Sequence, residues 1–151
     1  MSAAEALSLA CSGFLLAVLW MDLIFDSQVR AARGGDLPEP ILASIADYYR
    51  RATTTSRPMS HLIAVVMAIL LGTLVFRAVR GHDPIWLIAV SAVLAAAPVL
   101  LALFHTVPDA VRLGARSDGA VEQSRLARSV YRDHIVCLVS ISALLVLLLV
   151  W

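Results

Sequence analysis

The sequence predicts an all-α fold: a four-helix transmembrane bundle, with an amphipathic surface helix in the first of its long loops. Three observations carry this. Hydrophobic residues make up 60% of 151 positions and the mean hydropathy is +0.85, more apolar surface than one soluble core could hide. Four apolar stretches come close to the about 20 residues that cross a bilayer core of about 30 Å. Between the first two, apolar residues recur at helical spacing among polar ones.

The chain reads as one domain, residues 1–151. The first span covers residues 3–25; the segment before and within it lacks a positive leader and is longer than a secretory apolar core, so it is expected to stay attached as a helix. It ends in LWMDLIFDSQVR, where Asp22 and Asp26 lie one turn apart on the same helix face. Next, PEPILASIADYYRR predicts a short helix from near Pro40, lying along the membrane surface, with Ile41, Leu42, Ile45 and Tyr48 or Tyr49 on one side.

The second span covers residues 58–76 and the third 84–107. Asp83 and Pro84 form a start signal for the third, as N-cap and first helical residue. Pro98 predicts a kink near AAAPVL, and Ser91, Ala92, Ala95, Ala96 and Ala97 allow close helix approach. The segment TVPD suggests a capping box, with Thr106 as cap and Asp109 three residues on. The fourth span covers 134–151, with EQSRLARSVYRDH as a helical entry whose Arg125, Arg128 and Arg132 form a headgroup-facing stripe.

All twelve basic residues are arginine and the net charge is only +1, which gives no footprint for nucleic acid. Ten of those arginines fall in the two long loops, while Arg77 and Arg80 alone lie between spans two and three. The positive-inside rule then places both long loops in the cytoplasm and both termini outside. Trp86 and Trp151 would sit at the outer interface and Trp20 near the inner one. Cys11 and Cys137 lie in apolar runs and read as small hydrophobes. No phosphate loop, nucleophile elbow, HExxH or CxxC motif is present.

Counting helix rise from the outer end of each span puts Asp22, His61, His105 and His134 at nearly one depth, just inside the cytoplasmic boundary, with Asp26 at its edge. Imidazole and carboxylate groups converging there would suit iron, copper or zinc, with Asp22, Asp26, His61, His105 and His134 as ligands, or proton transfer. A plainer reading has Asp22, Asp26 and Arg30 as a surface ladder and the layer as helix-end polarity. Tyr48, Tyr49 and Tyr131 read first as interfacial anchors.

The segments VPDAVRLGA (107–115) and RSVYRDHIVCL (128–138), following a first span and a cytoplasmic helix, resemble the small four-span membrane proteins of the anthrone-oxygenase-like family. Asp109 stands where that family typically has asparagine. The resemblance implies a bacterial inner-membrane protein, with fungal relatives that oxidise polyketide anthrones, and directs interest to Asp109, Arg112 and His134.

These observations lead to a small integral membrane protein of the bacterial plasma membrane, with a metal-dependent redox enzyme acting on a lipophilic substrate as the leading expectation. Asp22, Asp26, His105, His134, Asp109 and Arg112 are its candidate catalytic residues, and its partners are the bilayer, a lipophilic small molecule and a homo-oligomer or larger membrane complex. Two alternatives stay open: a non-catalytic accessory subunit, and a proton-linked transporter.

Overall fold

The computed structural model describes residues 2–32, 35–55, 57–81 and 83–151, the side chains of Thr54, Arg57 and Pro58 excepted. Among the described residues six α-helices follow one another: α1 (Ala3–Asp26), α2 (Glu39–Arg50), α3 (Arg57–Arg80), α4 (Ile85–Leu101), α5 (Val107–Ala115) and α6 (Ala120–Val150). Among the described residues four continuous segments are long and apolar enough to cross a membrane: Ala3–Ala31, Met59–Arg80, Ile85–Ala115 and Ala120–Val150. The all-α bundle with a short helix in its first long loop is therefore the observed architecture.

Helix α1 opens on a capping box, in which the Ser2 hydroxyl accepts from the Glu5 amide and the Glu5 carboxylate accepts from the Ser2 amide. It packs against α3 and α6, and α4 packs against the same two helices. Helices α3 and α6 are diagonal: among the described residues their Cα atoms stay more than 8 Å apart. Small and hydroxylated residues make the tight crossings. Ser8 and Ser12 are fully buried, and Ser8 Oγ donates to Thr73 Oγ1 on α3 at 2.9 Å. Between apolar helices in lipid, packing and such bonds supply the association that water would otherwise drive.

Several boundaries differ from expectation. Helix α4 starts at Ile85 with Pro84 as its N-cap and no side-chain cap, because Asp83 instead receives the Arg77 guanidinium through Nε at 2.8 Å and Nη2 at 3.0 Å. That pair ties α3 to the start of α4. Beyond Pro98 the chain does not stop. A π-helical turn, Ala102–Thr106, joins α4 to α5, so Thr106 has helical dihedrals and no capping role. The capping box at Thr106 and Asp109 does not form, since a capping residue needs extended dihedrals to aim its oxygen at the following amides. Trp86 and Trp151 meet edge to face, 5.1 Å between centroids, at one end of the bundle.

Two apolar cores are stacked along the molecule. One lies within the bundle and contains Cys11, Leu15, Leu70, Ala95, Ile141 and Leu144. The other, at the arginine-rich end, joins α2, α5 and the first half of α6 through Leu42, Ile45, Tyr49, Leu113, Leu126 and Val130. The apolar side of α2 is therefore covered by protein. Gly114 makes this possible: a Cβ there would stand 2.7 Å from the Arg50 backbone nitrogen, so only glycine lets α5 approach α2 this closely.

Candidate functional site

At the junction of the two cores, α1, α2 and α6 bring five polar side chains together. Asp22 and Asp26 project from the same face of α1, as their four-residue spacing requires. Consecutive tyrosines at the end of α2 each reach one of them. The Tyr48 hydroxyl donates to Asp22 Oδ1, and the Tyr49 hydroxyl donates to Asp26 Oδ1 at 2.5 Å. His134 on α6 closes the group, with Nδ1 2.6 Å from Asp26 Oδ2 and Nε2 3.9 Å from Asp22 Oδ2.

Asp26 is fully buried and Asp22 partly so. A buried carboxylate is costly unless its oxygens are bonded, and here each oxygen of Asp26 has a partner. The assignment of the imidazole tautomer follows from those partners. A carboxylate only accepts, so Nδ1 carries a proton, and in the neutral ring Nε2 then has the lone pair. Burial, and then the nearby carboxylates, push both phenols up from their ordinary value, so each stays a hydrogen-bond donor at physiological pH. Tyr48 also stacks on Phe25, with centroids 4.1 Å apart, which fixes its ring over α1.

Beside this group lies a cavity of about 630 Å³ between α1, α3, α4 and α6. Its volume is within the usual range for small-molecule sites, about 300–1,000 Å³. Asp22, Tyr48, Tyr49, His134 and Thr106 form a polar belt in the wall, whereas Leu15, Met67, Leu70, Ala95, Cys137 and Ile141 make the far end apolar. Asp26 stands behind the belt, bonded to both Tyr49 and His134.

A second imidazole–carboxylate pair uses the neighbouring residue of α6. Asp133 Oδ2 is 2.6 Å from His105 Nδ1 and accepts from Thr106 Oγ1 at 3.2 Å. Asp133 is buried, while the His105 side chain is 46% exposed, with Nε2 4.0 Å from Asp109 Oδ2. Adjacent residues on a helix point about 100° apart, so the two pairs occupy different sides of α6.

The expected layer is thus only partly assembled. Asp22, Asp26 and His134 converge; His105 and Asp109 belong to the second pair; His61 is exposed on α3 and bonds to none of these groups. Among the described residues, no three His, Cys, Asp or Glu side chains are arranged to hold a metal ion. Arg112 binds Asp118 at 3.0 Å and Glu122 at 3.1 Å, bracing the turn between α5 and α6. Arg30 is exposed and pairs with neither Asp22 nor Asp26, so the surface ladder is absent. In the stripe on α6, Arg125 is held by Glu122 and Arg128 donates to the Gly35 carbonyl at 2.6 Å.

Tyr48, Tyr49, Thr106 and Asp133 were not among the expected site residues. For the tyrosines a signal existed: α2 places an apolar stripe and two phenols at its end, and a following helix could have been covered by protein as readily as by lipid. No family model, curated protein or solved structure matches the chain.

Proposed function

We propose that this integral membrane protein binds a lipophilic small molecule in the bundle cavity and performs acid–base chemistry on it at His134. The observation that supports the reading is the 3.9 Å gap between His134 Nε2 and Asp22 Oδ2 in the cavity wall. A ligand O–H or N–H placed in the cavity beside these two atoms can reach both within hydrogen-bond distance.

The residues then divide the work. Asp26 holds the Nδ1 proton and steadies the imidazolium that forms when Nε2 takes a proton from the substrate. Tyr49 orients Asp26, and Tyr48 orients Asp22 so that Oδ2 faces the ligand. The apolar end of the cavity holds the lipophilic part and excludes water, which strengthens the polar contacts.

Iron, copper or zinc at this belt would need a third protein ligand besides Asp22 and His134, because both Asp26 oxygens already have partners. Metal analysis reads this directly. One equivalent retained by the wild type and lost in His134→Ala would replace the metal-free reading. The arginine distribution supports a cytoplasmic position for the α2–α5 end in a bacterial inner membrane, which reporter fusions near residue 35 would test.

The main experiment is native mass spectrometry of protein extracted from its own membranes. The wild type should retain a lipophilic molecule, Ile63→Trp should lose it by filling the cavity, and His134→Gln should retain it. Equal retention of one species in all three would overturn the proposal.

A further inference from the structure

We infer that the cavity ligand is a single-chain amphiphile whose anionic headgroup, a carboxylate or a phosphate monoester, is held at the mouth by Arg51. This rests on the cavity reading above and adds the ligand's charge and direction.

The cavity has three zones along its length. At the arginine-rich end its wall includes Arg51 and Thr53 of the π-helical turn after α2, with Met59 and Ser60 of α3. The belt of Asp22, Tyr48, Tyr49, Thr106 and His134 comes next. Beyond it the lining is apolar as far as Leu70 and Ile141. Helix rise makes the distance from Met59 to Leu70 roughly 16 Å, and that from His134 to Ile141 roughly 10 Å. A site of this length, with a cation at one end and an apolar lining at the other, matches one chain with one polar head.

Charge decides which end the head occupies. Among the described residues Arg51 is the cation in the lining, and it is exposed. Its neighbour Arg50 is held by Asp47 at 2.8 Å, whereas Arg51 has no acid within ion-pair distance among the described residues. Farther in, Asp22 lines the wall and Asp26 lies directly behind it. An anionic head is therefore attracted at the mouth and repelled at the belt, leaving the chain to pass His134 and enter the apolar end. A guanidinium suits carboxylate and phosphate oxygens because its parallel N–H groups can donate to two of them.

The test is binding to the full chain in phosphatidylcholine nanodiscs at about pH 8, where a carboxylate is ionised, corrected for uptake by empty nanodiscs. The probes are dodecanoate, dodecyl phosphate and 1-dodecanol. The wild type should bind at least one anionic probe about tenfold or more tighter than the alcohol, as expected for a charge-assisted bond. Arg51→Gln should abolish that preference without changing the affinity for dodecanol, and Arg51→Lys should restore part of it. A preference for dodecanoate over dodecyl phosphate identifies a fatty-acid-like ligand, and the reverse a phosphate monoester. Ile63→Trp should weaken all three probes. Equal affinity for anion and alcohol, with Ile63→Trp still blocking both, would overturn the headgroup assignment and leave the cavity reading standing. No binding, or binding indifferent to Ile63→Trp, would overturn both.

Discussion

His134 Nδ1 lies 2.6 Å from Asp26 Oδ2 across 108 residues of sequence, and the aspartate is wholly enclosed. The pair joins α1 to α6 and leaves Nε2 facing the cavity. Its surroundings make it strongly dependent on both partners, because either one left alone would be a buried polar group without a mate.

Asp26→Asn should lower unfolding stability by about 1.5–3 kcal/mol, the usual value of a buried hydrogen bond to a charged group. The amide can accept from Tyr49 or serve His134, but it cannot accept as a carboxylate at both oxygens. Reversible unfolding in mixed micelles measures this. Stability equal to wild type would show that the pair contributes nothing.

Gly114→Ala should be far more disruptive than Gly13→Ala. The new methyl at position 114 meets the Arg50 backbone at 2.7 Å, whereas at Gly13 nothing lies within 4 Å. Overpacking of this kind costs about 1–3 kcal/mol, and the strain falls on the segment that carries Tyr48 and Tyr49. Amide hydrogen exchange should show faster opening of Glu39–Arg50 in the first variant only. Equal protection in both would mean that α2 can move aside freely.

Raising the pH should expose the tyrosine network. Both phenols are pushed above their unfolded value by burial and by the adjacent aspartates, so the folded state holds protons that the unfolded state releases. Stability from this source is intact below about pH 10 and declines as pH rises past the unfolded phenol value. Absorbance at 295 nm, taken as the difference between wild type and Tyr48→Phe or Tyr49→Phe, should show no phenolate until unfolding. A difference signal near pH 10 in folded protein would contradict the buried placement.

Arg112 should prove dispensable for ligand binding despite its prominence in the family resemblance. It is 46% exposed and pairs with Asp118 and Glu122 at the turn before α6, away from the cavity lining. Arg112→Ala should leave stability close to that of the wild type, as for other exposed ion pairs. Loss of cavity binding in a folded Arg112→Ala protein would require a role that these contacts do not suggest.

Much of the architecture was legible in the sequence, because crossing a bilayer imposes a length and a composition that each segment must meet by itself. The four spans, the helical entry to α6 and the apolar side of α2 all follow from local pattern. Depth counting also placed Asp22 and His134 at a common level, since helix rise is constant. What counting could not supply was azimuth: His61, counted to the same depth, is exposed on α3, and Asp133 and His134 are neighbours that turn to different partners. The destination of α2 was likewise undecided, as an amphipathic helix can lay its apolar side on lipid or on protein with equal local plausibility. Tertiary packing settled it through Gly114, and with it the meeting of Tyr48 and Tyr49 with the two aspartates. Periodicity and hydropathy belong to each helix separately; which faces meet depends on close packing between helices distant in sequence.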